Sequence, residues 1–109
     1  MSLEVSVSEV KRRLDAGDKL QMIDVREPHE HDVASIAGAD LIPMNTIPQR
    51  LSELDGRSDE AELIVFCHAG VRSLMVVNWL RNQGVDACLS MTGGIDQWSR
   101  EIDPSVPRY

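Results

Sequence analysis

The sequence is short of several things, and each shortage narrows what the protein can be. Cysteine occurs only twice in 109 residues, as Cys67 and Cys88. Two cysteines make no disulfide framework, and a chain of this length folds without one. Thiols kept reduced point to the cytoplasm as the expected compartment. No apolar run approaches the roughly 20 residues that crossing a bilayer requires, so no membrane role is expected. The stretch Met1–Val10 is polar and alternating, without the apolar centre of a signal peptide. Basic residues are outnumbered, with 11 Lys and Arg against 18 Asp and Glu and a formal net charge of -7. Nucleic acid is therefore not the expected ligand, because phosphate binding needs a basic surface. An anionic substrate would need a local positive site working against the field of the whole chain. Repeats, low-complexity segments and internal linkers are also lacking.

What remains is an ordinary globular composition, 42% hydrophobic and 27% charged, sized for one domain over residues 1–109. Ser6 with Glu9 reads as a capping box for a helix carrying Val7, Val10 and Leu14, ended by Gly17. Leu20–Val25 is a short apolar strand, and Glu27-Pro28 starts a brief polar helix. Ala39–Ile42 reads as a strand stopped by Pro43. Thr46 is the expected cap of a short helix with Ile47, Leu51 and Leu54, since Pro48 is tolerated in a first turn. Leu63–Phe66 is continuously apolar, as a strand buried on both faces is. Ser73–Gln83 predicts a helix that is apolar nearly all round, hence well buried, with Gly84 at its end. Ala87–Met91 is a last strand, and Gly93-Gly94 turn the chain into a helix bearing Ile95, Trp98 and Ile102. Alternating strands and helices predict an α/β fold, a mainly parallel sheet of about five strands with helices on both faces.

The segment that carries chemistry is Cys67-His68-Ala69-Gly70-Val71-Arg72-Ser73. It lies where a buried strand hands over to a helix, at the carboxyl edge of the sheet, where open α/β folds place their sites. Amide N–H groups and the dipole at a helix start favour an anion there. Gly70 lets the backbone curl, and Arg72 adds a permanent charge. All three favour the thiolate, which is the nucleophilic form of cysteine. A lone cysteine ending a strand is ordinarily inert; the convergence of glycine, arginine and helix start is what argues otherwise.

On these residues the chain resembles the rhodanese-like sulfurtransferases. Cys67–Ser73 is similar to that family's active-site loop, Ile23–Glu27 (IDVRE) to the motif ending its second strand, and Met91–Trp98 (MTGGIDQW) to its closing motif. The resemblance implies that Cys67 carries sulfur as a persulfide, taken from thiosulfate or a protein persulfide, with no metal and no organic cofactor. It also implies that Asp24, Arg26, Gly93 and Gly94 form the rim, with Asp24 bonding loop groups. Most of the family has Gly-His-Ile-Pro-Gly-Ala where this chain has Ala34-Ser35-Ile36-Ala37-Gly38-Ala39. With Leu41–Met44 (LIPM) and the ending Asp103–Tyr109, this is similar to the rhodanese domain at the end of adenylating enzymes. Such enzymes serve ubiquitin-like sulfur carriers for molybdopterin, thiamin or tRNA thiolation. The implied partners are then a sulfur carrier and an adenylating enzyme, and the chain fits a domain cut from a longer protein.

Two other readings compete. Cysteine phosphatases and arsenate reductases also close a cysteine loop with arginine, but with five intervening residues. Here four separate Cys67 from Arg72, a ring better suited to one extra sulfur atom than to a tetrahedral oxyanion. A non-catalytic docking module is the second, although such modules typically lack the cysteine. Elsewhere, His29-Glu30-His31 is too sparse for zinc, Cys88 reads as a buried apolar residue, and Trp79 and Trp98 read as core. Outside the family resemblance, Asp24 and Arg26 read as a surface ion pair of little consequence.

Overall fold

The apolar runs of the sequence become strands of one sheet. The computed structural model describes residues 2–109. In chain order it holds β1 (Glu4–Val5), α1 (Val7–Asp15), β2 (Leu20–Asp24), α2 (Pro28–Val33), β3 (Asp40–Leu41), α3 (Leu51–Ser58), β4 (Glu62–Phe66), α4 (Val71–Asn82), β5 (Cys88–Met91) and α5 (Gly94–Glu101). The strands pair in the order β1-β5-β4-β2-β3, and each pairing is parallel. Because all strands run the same way, their carboxyl ends line a single edge of the sheet.

Strand β4 shows why the sheet needs helices on both faces. Its side chains alternate, Leu63 and Val65 into the core shared with Leu54 of α3 and Val76, Val77 and Leu80 of α4. Ile64 and Phe66 enter the opposite core, with Val7 and Val10 of α1 and Ile95 and Trp98 of α5. Leu63, Ile64, Val65 and Phe66 are each at most 1% exposed. Burying a side chain of this kind is worth about 1.5–3 kcal/mol, so this strand anchors both layers. Among the described residues no helix is long and apolar enough to cross a membrane.

Several expectations are corrected. Strand β1 was not read from the sequence; its two residues pair with Ser90 and Met91, and two residues carry no readable period. Thr46 caps no α-helix: it sits in the first of two 3-10 turns, Met44–Thr46 and Pro48–Arg50, and its hydroxyl donates to the Pro43 carbonyl. Helix α4 begins at Val71, inside the loop motif, and is not buried all round. Val71 and Met75 stand 71% and 60% exposed, while Val76, Val77 and Leu80 are buried. A helix laid on one face of a sheet has only one side to bury, so its outer apolar residues stay in water. Trp98 is buried as expected, whereas Trp79 is only partly so.

Candidate active site

The carboxyl edge of the sheet brings together the ends of β2, β4 and β5. Cys67 follows β4 directly and is 1% exposed. The chain then curls so that its own amides return to the sulfur. Gly70 N–H donates to Cys67 Sγ at 3.1 Å and Ser73 N–H at 3.4 Å. The thiol donates to Ser73 Oγ at 3.4 Å, and that hydroxyl is held by Ser90 Oγ at 2.8 Å. Hydroxyls rotate, so the Ser73 group can equally donate to an ionised sulfur. This arrangement is an anion cradle of main-chain N–H groups at the start of a 12-residue helix.

Two glycine positions make the curl possible. Gly70 has φ +106°, a conformation unfavourable for side-chain-bearing residues, and a Cβ there would sit 3.1 Å from Gly93 N. Gly94, φ +58°, lets the start of α5 press on the loop: a Cβ there would lie 2.5 Å from the His68 carbonyl oxygen and closer still to that of Cys67. Through this close approach Ile95 N–H donates to the Cys67 carbonyl at 2.9 Å and Asp96 N–H to the His68 carbonyl at 3.1 Å. The loop carbonyls are thereby bound by α5, and the loop amides are left to the sulfur.

The charged residues are arranged differently from expectation. Arg72 supplies the expected permanent charge, but that charge has a partner. Its Nη1 and Nη2 donate to Glu30 Oε2 and Oε1 at 2.7 and 2.9 Å, a bidentate pair. Hydrogen bonding from Arg72 pulls the Glu30 carboxyl down to about 2, against some opposition from burial, and raises Arg72 in turn. Tyr109 extends the group: its hydroxyl donates to Glu30 Oε1 at 3.0 Å and accepts from Arg26 Nη1 at 2.9 Å. The Tyr109 ring stacks on His68, centroids 4.1 Å apart and planes 13° off parallel.

Asp24 and Arg26 are no surface pair. Both are fully buried, joined by Arg26 Nε to Asp24 Oδ1 at 2.9 Å and Nη2 to Oδ2 at 2.7 Å. Arg26 also donates from its backbone to Asp24 Oδ1 and from Nη2 to the Ala34 carbonyl. Asp24 thus spends its oxygens on Arg26 and on a long contact to His31 Nδ1 at 3.5 Å, and no bond from it to the Cys67 loop is seen among the described residues. The pair fixes the chain from β2 to α2, which carries Glu30. Removing one partner of such a pair strands the other's charge in the interior.

Of the residues expected from sequence, the fold gathers Cys67, His68, Ala69, Gly70, Val71, Arg72, Ser73, Gly93 and Gly94 into one site, with Asp24 and Arg26 behind it. Glu30, Ser90 and Tyr109 were missed. Glu30 had one sequence signal, its spacing from Glu27: the Glu30 carboxylate accepts from Glu27 N–H, as a capping box does. Ser90 and Tyr109 had none. A cleft of about 560 Å³ borders the loop, lined by Leu3, Ala69, Gly70, Leu74, Met75 and Thr92 among others.

The fold and site together define a class: a parallel α/β sheet with a cysteine sulfur accepting from loop amides at its carboxyl edge. Comparison with known proteins gives the family: a model of the rhodanese-like domain matches residues 6–101, and the chain belongs to that family. It is 33% identical over 101 residues to the putative sulfurtransferase YtwF of Bacillus subtilis, covering 93% of this chain and 94% of that protein. It is 31% identical over 112 residues to the maize (Zea mays) adenylyltransferase and sulfurtransferase MOCS3-1, covering 99% of this chain and 24% of the relative. The chain spans 23–31% of the length of several such larger relatives. A crystal structure of a rhodanese-like domain protein from Staphylococcus aureus superposes with a TM-score of 0.81 at 30% identity, covering 100% of this chain and 99% of the other.

Proposed function

We propose that this domain is a sulfurtransferase that carries sulfane sulfur on Cys67. The observation that carries the reading is the pair of N–H groups, Gly70 and Ser73, directed at a cysteine sulfur at a helix start. The Cys67 thiolate attacks the outer sulfur of a donor such as thiosulfate. A Cys67 S–S bond forms, the donor's S–S bond breaks, and sulfite leaves with the bonding pair. The product, Cys67–S–S⁻, keeps its negative charge on a sulfur that loop amides can bind, as an oxyanion hole binds oxygen. A second nucleophile, cyanide or a thiolate, then takes the outer sulfur and returns the Cys67 thiolate, a double-displacement cycle.

The cellular acceptor we infer is the adenylated carboxyl terminus of a small sulfur carrier. Support comes from the maize relative, named for adenylyl and sulfur transfer, and from a Bacillus subtilis relative named as a putative sulfur carrier protein. The persulfide would displace AMP and leave an acyl disulfide, which a thiol reductant then cleaves. The first experiment is intact mass after incubation with thiosulfate. A gain of one sulfur atom in the wild type and none in Cys67→Ser is expected; an equal gain in Cys67→Ser would overturn the assignment.

A further inference from the structure

The loop's single arginine is matched by a carboxylate, although the most familiar small sulfane-sulfur donor is a dianion. Arg72 is gripped at both Nη atoms by Glu30, whose side chain is only 12% exposed. Glu30 is itself fixed on three sides, by Arg72, by the Glu27 N–H and by the Tyr109 hydroxyl. With its carboxyl held near 2, it stays ionised at any working pH. The pair is therefore close to neutral as seen from the sulfur. The other loop side chain able to carry positive charge, His68, is packed flat against Tyr109. A dianion entering this loop meets amide dipoles but, among the described residues, no uncompensated guanidinium, on a chain of net charge -7.

We propose that Glu30 is a selectivity-determining residue: by cancelling Arg72 it turns the site from dianionic donors toward sulfane sulfur carrying at most one charge, such as a cysteine persulfide on a protein. The inference rests on the sulfur-transfer reading and names the donor class of that same site. It makes a quantitative demand. Coulomb energy scales with ligand charge, so removing the Glu30 charge must help a dianion twice as much, in free energy, as a monoanion. A gain of about threefold for a monoanion then becomes about tenfold for a dianion.

The test compares thiosulfate, a dianion, with benzenethiosulfonate, a monoanion that delivers its outer sulfur and leaves as benzenesulfinate. Donor KM and kcat are measured with cyanide as acceptor for the wild type, Glu30→Gln, Glu30→Asp and Arg72→Ala. In Glu30→Gln the thiosulfate KM should fall about tenfold and the benzenethiosulfonate KM about threefold. Glu30→Asp keeps the charge and should keep the wild-type ratio of the two. Arg72→Ala leaves Glu30 unopposed and should shift the ratio the other way, so the proposal stays exposed even if Glu30→Gln folds poorly. Equal fold-changes for both donors in either variant would overturn the proposal while leaving sulfur transfer intact. Failure of both donors to persulfidate wild-type Cys67 would instead overturn the reading beneath it.

Discussion

Cys67 directly follows β4, Cys88 opens the neighbouring parallel strand β5, and the two are equally buried, at 1% and 0% exposure. They differ in which end of the sheet they occupy. Cys67 follows the carboxyl end of β4, where the chain curls into a helix start, and its sulfur accepts from two N–H groups. Cys88 opens β5 at the amino end, and its thiol donates to the Val85 carbonyl at 3.3 Å. Burial pushes the Cys88 thiol up, and the charge and hydrogen bond of Arg81 oppose it without cancelling it. Cys67 Sγ thus lies among main-chain donors at a helix start, whereas at Cys88 burial outweighs the Arg81 cation beside it. Burial alone does not decide whether a cysteine is reactive; the sign of the dipoles around it does.

The widest expected gap is in reactivity. Alkylation by iodoacetamide under native conditions should modify Cys67 at least about a hundredfold faster than Cys88, read by peptide mass spectrometry, because Cys67 Sγ accepts from main-chain N–H groups at a helix start while burial raises the Cys88 thiol. Equal rates would remove the distinction. Next in size is Gly94→Ala, which attacks the Cys67 side of the comparison through the backbone. The added methyl meets two loop carbonyls at a positive φ, so a stability loss of about 2–4 kcal/mol is expected in denaturant unfolding, with sulfur transfer down at least about tenfold. Near-normal activity would mean that α5 does not hold the loop amides in place. The smallest effect should come from the other sulfur. Cys88→Ala should cost about 1–2 kcal/mol as a small packing defect and leave thiosulfate:cyanide turnover within about twofold of the wild type. A turnover loss well beyond the stability loss would give Cys88 a part in the cycle.

The contrast also marks how far the sequence could be read. Leu63–Phe66 announced a strand buried on both faces, and Cys67–Ser73 announced an anion loop, because both are local: a run of apolar residues, and a glycine between a cysteine and a helix start. The same local logic counted the permanent charge of Arg72 without its partner and read Asp24 with Arg26 as a surface pair. Those readings fell short because the partner of Arg72 and the burial of Asp24 and Arg26 are settled by residues distant in sequence. Glu30 reaches Arg72 across 42 positions, and Tyr109 reaches Arg26 across 83.

By itself, then, the sequence determined the α/β order, the family resemblance, and the cysteine on which chemistry would turn, since strand periods, glycine positions and motif spacing are properties of adjacent residues. Only the tertiary structure decided the charge of the site. Parallel pairing brings the ends of β2, β4 and β5 to one edge, and there a helix from one end of the chain and a tyrosine from the other meet the loop. Electrostatic energy depends on distance in space and on exclusion of water, and neither is written in the spacing of residues along the chain.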